Sequence, residues 1–261
     1  MRGATGARLR AWAEKDGRGY PDWAYRYLPL LRTLRKRGLR LDDLRILEAG
    51  ANENGFARFA GVSVIAADVS RAHLRAARDV QPVKPVAADI ASLPFAHASF
   101  DLCVCVDTFE HLSSKGRLKA LEELVGLLKP QGTAIITFPS GEGASEAEAA
   151  IRREYEEYTG RTLRWLEEHK ETGLPEAETL CQFARNIAGP SRSIRVEKNT
   201  PLWLWKWSWR ILMCGWPGRG NSAAQAMLRI LTPLLSRCHW GECYRAIVWI
   251  EPKKAPHNHQ A

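Results

Sequence analysis

The chain has 261 residues, enough for one large domain or two small ones at ~150 residues per domain, and its 45% hydrophobic and 26% charged residues exclude a wholly disordered polypeptide. The net charge of +9 is uneven: residues 1–45 carry 12 basic and 5 acidic side chains, residues 46–184 carry 14 and 21, and residues 185–261 carry 12 and 3. An acidic middle between basic ends argues against one nucleic-acid groove along the whole chain.

The arginine-rich start lacks the apolar core of a signal peptide. Residues 22–38 predict a helix, with Asp22 as N-cap and Gly38 as stop. Apolar strand-like runs follow at 45–49, 62–67, 84–88, 100–106 and 132–138, with helical segments at 55–60, 71–79 and 114–128. That alternation predicts a parallel sheet covered on both faces. Lys129-Pro130-Gln131-Gly132 reads as the break before the fifth strand. Beyond Pro139, residues 142–172 read as a polar helical insertion and 175–187 as a further helix. Two late strands are expected at 192–198 and 243–250. The segment between them holds Trp203, Trp205, Trp207, Trp209 and Trp216, then a second apolar helix near 222–236. No stretch reaches the ~20 apolar residues needed to span a bilayer.

The six cysteines form no CxxC pair, and Cys238, His239 and Cys243 lack the spacing of a zinc finger, so no metal site is expected. Cys103 and Cys105 would share one face of a strand as small buried residues. A reduced, cytoplasmic compartment is the default.

The strand ending in Ile46-Leu47-Glu48-Ala49 runs into Gly50-Ala51-Asn52-Glu53-Asn54-Gly55 and then a helix. Gly50, Asn52 and Gly55 occupy the positions of a GxGxxG pattern, with Asn in the middle. Small residues, or residues that tolerate positive φ, let such a turn bring backbone close to a ligand. Acids then fall at four successive strand ends: Glu48, Asp68, Asp89 and Asp107. In an open parallel sheet this is the edge where ligands bind, and an acid at the second strand end can accept both ribose hydroxyls. Capping of the following helices is the competing explanation for a single Asp.

The stretches ILEAGANENGFARF, AADVS at 66–70, AADIASLPFAHASFDLCVCVDTFEHL at 87–112 and LLKPQGTAIITFPS at 127–140 make the chain recognisable. It resembles the class I S-adenosylmethionine-dependent methyltransferases, and within them the methyltransferase type 11 family (ubiquinone-biosynthesis-like). The resemblance implies a Rossmann-like, open, mostly parallel seven-stranded sheet. Helices would lie on both faces, with an inserted helical cap before the last strand. It implies S-adenosylmethionine as cofactor. Gly50, Ala51, Asn52 and Gly55 would approach its methionine part, and Glu48 would support that loop or the amino group. Asp68 with Val69 would hold the ribose, Asp89 with Ile90 the adenine, and Asp107 and Thr108 would border the transfer cavity. The family usually has glycine where Asn52 stands. His111 is the candidate general base beside Asp107; His169, Tyr155 and Tyr158 could also cover the acceptor.

Asp107-Thr108-Phe109 replaces the Asn-Pro-Pro-Tyr type motif, which disfavours methylation of nucleobase amines, and no RNA-binding module is appended; a nucleic-acid partner is not expected. The expected acceptor is a small or lipid-linked molecule. A non-catalytic cofactor-binding scaffold and an RNA or protein methyltransferase stand as alternatives. The tryptophan segment has two readings: an interfacial helix pair at 201–237 docking on a membrane or covering a lipid-like acceptor, or a cap with tryptophans in its core. Lys206 and Arg210, four apart, would share one face. The expected division is a lead-in at 1–43, a cofactor-binding core at 44–140, an insertion and helix at 141–190, a strand pair at 191–251 containing the insertion 201–240, and a flexible tail at 252–261.

Overall fold

The computed structural model describes residues 20–253, apart from Glu53 and Gln81. The first 19 residues of the predicted lead-in and the tail from 254 lie outside them. Seven strands form one sheet: β1 (Ile46–Ala49), β2 (Val64–Asp68), β3 (Val83–Ala87), β4 (Phe100–Val106), β5 (Leu128–Pro139), β6 (Arg192–Pro201) and β7 (Cys243–Pro252). Their order is β3-β2-β1-β4-β5-β7-β6, and the first five run parallel. The helices are α1 (Tyr20–Lys36), α2 (Phe56–Ala60), α3 (Arg71–Val80), α4 (Ser114–Gly126), α5 (Glu142–Thr159), α6 (Arg164–Thr172), α7 (Ala177–Ala188), α8 (Leu202–Met213) and α9 (Asn221–Leu235). This is the Rossmann-like open sheet with a helical insertion, α8 and α9, before the last strand.

Consecutive residues of β4 from Leu102 to Val106 are all buried. Successive side chains point to opposite faces, so both faces are covered, as a continuous apolar run requires. Cys103 and Cys105 lie on one face in a cluster with Leu47, Phe100, Phe138 and Ile250, and burial pushes both thiols up. Burying a side chain such as Phe100 contributes ~1.5–3 kcal/mol. Pro85 sits in β3, an edge strand, where a missing N–H breaks no inner ladder. The chain leaves β1 for β2 and β3, then returns to β4 on the other side of β1. That reversal places the topological switch point at the carboxyl ends of β1 and β4.

Two expectations are corrected in detail, and the helical insertion is resolved into its parts. Asp22 lies inside the first turn of α1, not at its cap, and binds Arg26 at 2.7 Å. The insertion 142–172 breaks into α5 and α6 because Gly160 adopts left-handed φ (+65°) and its N–H closes on Glu156 O. β5 begins at Leu128, before the Pro-Gln-Gly stretch; a register shift between Phe100 and Leu102 absorbs the irregularity.

The described residues divide into two compact units. One comprises residues 38–140, 172–197 and 246–253, the other 20–37, 141–171 and 198–245. Within the second, Trp205 stacks on Tyr244 (4.0 Å, 15°), and the buried Glu148 carboxylate accepts the Tyr244 hydroxyl (2.6 Å) and meets His169 Nδ1 (2.9 Å). Asn199 Nδ2 donates to Tyr25 O (2.7 Å) and Tyr25 Oη lies 3.3 Å from Ser208 Oγ. Burial raises the Tyr25 phenol to about 12.

Candidate cofactor site

Every residue of the sequence-predicted cofactor site falls within the stretch 38–140, in the first unit. Gly50 and Ala51 both donate their N–H to Ala67 O, at 2.8 and 3.2 Å, tying the β1–α2 turn to the end of β2. Gly50 has φ +78°, and a Cβ there would run into the Thr108 side chain just beyond β4. Glycine is therefore required twice over: by backbone conformation, and by close approach of the two strand ends at the switch point.

Glu48 is 1% exposed, and its Oε1 accepts the Phe56 N–H at 2.5 Å, satisfying a free N–H at the opening turn of α2. Gly55 has an ordinary φ of −78°, but a Cβ there would stand 2.6 Å from Glu48 Oε1. Its small size is thus set by the carboxylate packed under the loop. Positive φ among described non-glycine residues is confined to Ala98, Asp107 and Thr200. Asn52 therefore does not replace glycine in a left-handed conformation; its Oδ1 accepts the Asn54 N–H at 2.8 Å in an Asx turn that shapes the loop.

Asp68 closes β2. Its Oδ1 accepts the Ser70 N–H at 2.6 Å and lies 3.7 Å from His73 Nδ1. Burial raises its carboxyl above the usual Asp range, opposed by the Ser70 N–H and His73. Val69 beside it is exposed. Asp68 pairs in register with Ala87, and Ala88 N donates to Asp68 O at 3.1 Å, so Asp89 follows on the adjoining strand end. Asp89 is exposed and lies two residues past β3 instead of ending it; its Oδ1 accepts the Ala91 N–H at 2.9 Å. Ile90 turns its side chain into the core.

Asp107 follows β4 with φ +47°, a conformation that costs a non-glycine residue ~1–3 kcal/mol and clusters at functional sites. Its N–H donates to Thr137 O (2.9 Å), and its Oδ1 accepts the Thr137 hydroxyl (2.7 Å). Thr137 was missed from sequence; its place opposite Val106 emerges only from the parallel β4–β5 register. His111 ends a short 3₁₀ turn, Phe109–His111, and is exposed. Glu48, Gly50, Gly55 and Thr108 meet at the switch point, and Asp68 and Asp89 lie along the same edge. His169 is buried in the second unit, and Tyr158 there is exposed.

Residues 47–136 match the methyltransferase domain family. That span contains every predicted cofactor residue, and with the fold it implies S-adenosylmethionine as the cofactor. No curated protein matches the chain in sequence. Among solved structures, the chain is similar to the PH0226 protein of Pyrococcus horikoshii (16% identity, 91% of this chain and 93% of that one, TM-score 0.54). It is also similar to a Thermotoga maritima S-adenosylmethionine-dependent methyltransferase described as a possible histamine N-methyltransferase (17%, 95% and 99%, TM-score 0.53). The [4+2]-cyclase SpnF shares the fold too (17%, 81% and 76%, TM-score 0.50). These likenesses establish the fold; a cyclase among them means that the fold alone does not dictate the reaction.

The residues fit the cofactor. The space beside Gly50 and Gly55 is taken by the Thr108 side chain and the Glu48 carboxylate, which fixes the turn at the switch point, and Asp68 and Asp89 stand along the neighbouring strand ends as carboxylates able to accept from hydroxyl and amino donors.

Proposed function

We propose that the chain transfers a methyl group from S-adenosylmethionine to a small-molecule or lipid-linked acceptor. The carrying observation is the run of acids on successive strand ends around the Gly50 turn, inside the span that matches the methyltransferase domain. The ubiquinone-biosynthesis-like resemblance, and with it a quinone precursor as acceptor, belongs to the same proposal.

Bound S-adenosylmethionine supplies a methyl group already activated on a sulfonium. The protein's task is then mainly alignment, which can lower a barrier by roughly 7–11 kcal/mol. In this reading Asp68 accepts the ribose hydroxyls, Asp89 and the Ile90 N–H flank the adenine, and Glu48 keeps the loop from Gly50 to Phe56 in place. Asp107, fixed by Thr137, and Thr108 border the transfer cavity. His111 removes the acceptor's proton where the nucleophile is a poorly acidic hydroxyl or carbon.

Incubation with methyl-labelled S-adenosylmethionine and candidate phenolic or lipid-linked acceptors tests the reaction. His111→Ala is expected to lower kcat by roughly 100-fold or more with the cofactor Kd unchanged. An unchanged kcat would take His111 out of the mechanism. Cofactor binding without transfer to any acceptor would favour the scaffold alternative.

A further inference from the structure

The helix pair α8–α9 presents a surface that a protein in water normally hides. On α9, Met227, Ile230, Leu231 and Leu234 are exposed by 53, 78, 37 and 63%. Their spacing of three and four residues puts them on one stripe, while Leu228 and Thr232 form the buried side. Trp203, Trp216 and Trp240 are also exposed, and Trp203 lies against Trp240 (5.5 Å) and Trp207 against Trp216 (6.4 Å). A groove of about 620 Å³ lined by Trp203, Lys206, Trp207, Arg210, Leu231 and Leu235 joins the two helices. Leu231 belongs to both groove and stripe, so the tryptophans and the aliphatic side chains make one surface.

Charge identifies what covers it. Between Glu197 and Glu242 the sequence holds six basic residues and no acid: Lys198, Lys206, Arg210, Arg219, Arg229 and Arg237. Arg210 is committed to Glu154 through two hydrogen bonds of 2.8 and 2.6 Å, so it does not serve a headgroup as its spacing from Lys206 suggested. Lys198, Arg219 and Arg237 are exposed, and Lys206 and Arg229 half-buried. A second copy of the chain would set this positive surface against itself. A nucleic acid would neutralise the charge but leave Ile230 and Leu234 in water. An anionic lipid leaflet satisfies both at once. Tryptophan prefers its headgroup boundary, aliphatic side chains enter the acyl region, and each basic residue near the surface adds ~1 kcal/mol. No helix among the described residues is long and apolar enough to cross a membrane, so the pair would lie in the surface plane.

We infer that α8 and α9 form a docking face for anionic phospholipid, with Met227, Ile230, Leu231 and Leu234 entering the leaflet and Lys206 and Arg219 facing its headgroups. Trp205 and Trp209 belong to the packing beneath: Trp205 is buried, and Trp209 packs on it and on Trp165. Trp205 and Trp209 thus follow the cap reading, and the docking reading is the inference that the exposed side chains carry.

The test is co-sedimentation of the full chain with vesicles of phosphatidylcholine alone or mixed with an equal part of phosphatidylglycerol, alongside sedimentation velocity without lipid. The wild type is expected to pellet on the mixed vesicles, with a blue shift of its tryptophan emission, and to be released by salt. Ile230→Asp with Leu234→Asp should abolish pelleting with an unchanged thermal melt, since both side chains are exposed. Lys206→Gln with Arg219→Gln should weaken it by roughly fivefold per charge. Failure of the wild type to pellet, or equal pelleting of wild type and the aspartate variant, overturns the inference. So does self-association that the aspartate variant abolishes in the absence of vesicle binding, which would give the face to a second copy.

Discussion

The cofactor edge and the α8–α9 pair are built by opposite means. At the edge, single atoms decide: Gly50 because Thr108 stands where its Cβ would be, Gly55 because Glu48 does, Asp107 because Thr137 holds its carboxylate. On α8–α9 no single residue decides. An excess of tryptophan, an absence of acids and an apolar stripe act together, and each contributes a share. The first region is proposed as a site for one molecule of defined shape, the second as a surface for a medium. Variants in the two places should therefore act independently of each other.

The largest effect is expected from Gly50→Val. Left-handed φ and overlap with Thr108 act together, and calorimetry with S-adenosylhomocysteine should show no binding, while vesicle pelleting stays as in the wild type. Retained binding would remove the close-approach argument. Asp68→Asn should weaken the cofactor by roughly 10- to 100-fold, the loss of charge-assisted hydrogen bonds worth ~1.5–3 kcal/mol.

The same substitution has a sign that sharpens the contrast between binding and stability. Burial raises the Asp68 carboxyl, so its ionised form costs stability in the free protein. That cost is absent below the ordinary Asp pKa and is incurred as pH rises through the raised folded value. Without cofactor, Asp68→Asn should melt no lower than the wild type at pH 7, and thermal scans at pH 4 and 7 would check it. Cofactor affinity of the wild type should likewise fall on acidification at a higher pH than an ordinary Asp would dictate.

In the other unit, Arg210 holds the Glu154 carboxyl below its usual range, so this pair stabilises above the ordinary Glu pKa and is lost as pH falls through the lowered value. The pair is partly exposed, so Glu154→Gln should cost less than ~1 kcal/mol in denaturant unfolding. Smallest of all is Asn52→Gly. Because Asn52 is not in a left-handed conformation, glycine there removes one Asx-turn hydrogen bond and should change cofactor affinity by less than about threefold. A larger gain would mean that Asn52 hinders the cofactor.

What could be read from sequence follows the same divide. β4 was legible to the residue, Phe100–Val106, because a strand covered on both faces must be apolar throughout. The acids at strand ends were legible because each interrupts an apolar run. β5 was read short because a Pro-Gln-Gly stretch signals a break, and only pairing with β4 shows that the strand passes through it. Thr137 was invisible for the same reason: its importance comes from a neighbour 30 residues away. On α8–α9 the tryptophans were conspicuous, yet composition could not say that Trp205 faces inward while Ile230 faces out. That depends on how the helices pack.

The account stands or falls on whether the strand-end carboxylates receive an adenosine-bearing sulfonium. Isothermal titration of the full chain with S-adenosylmethionine, beside Asp68→Asn under identical conditions, measures this most directly. One site per chain is expected in the wild type and a markedly weaker one in the variant. Absence of heat from the wild type, or equal affinity in the two proteins, would contradict it.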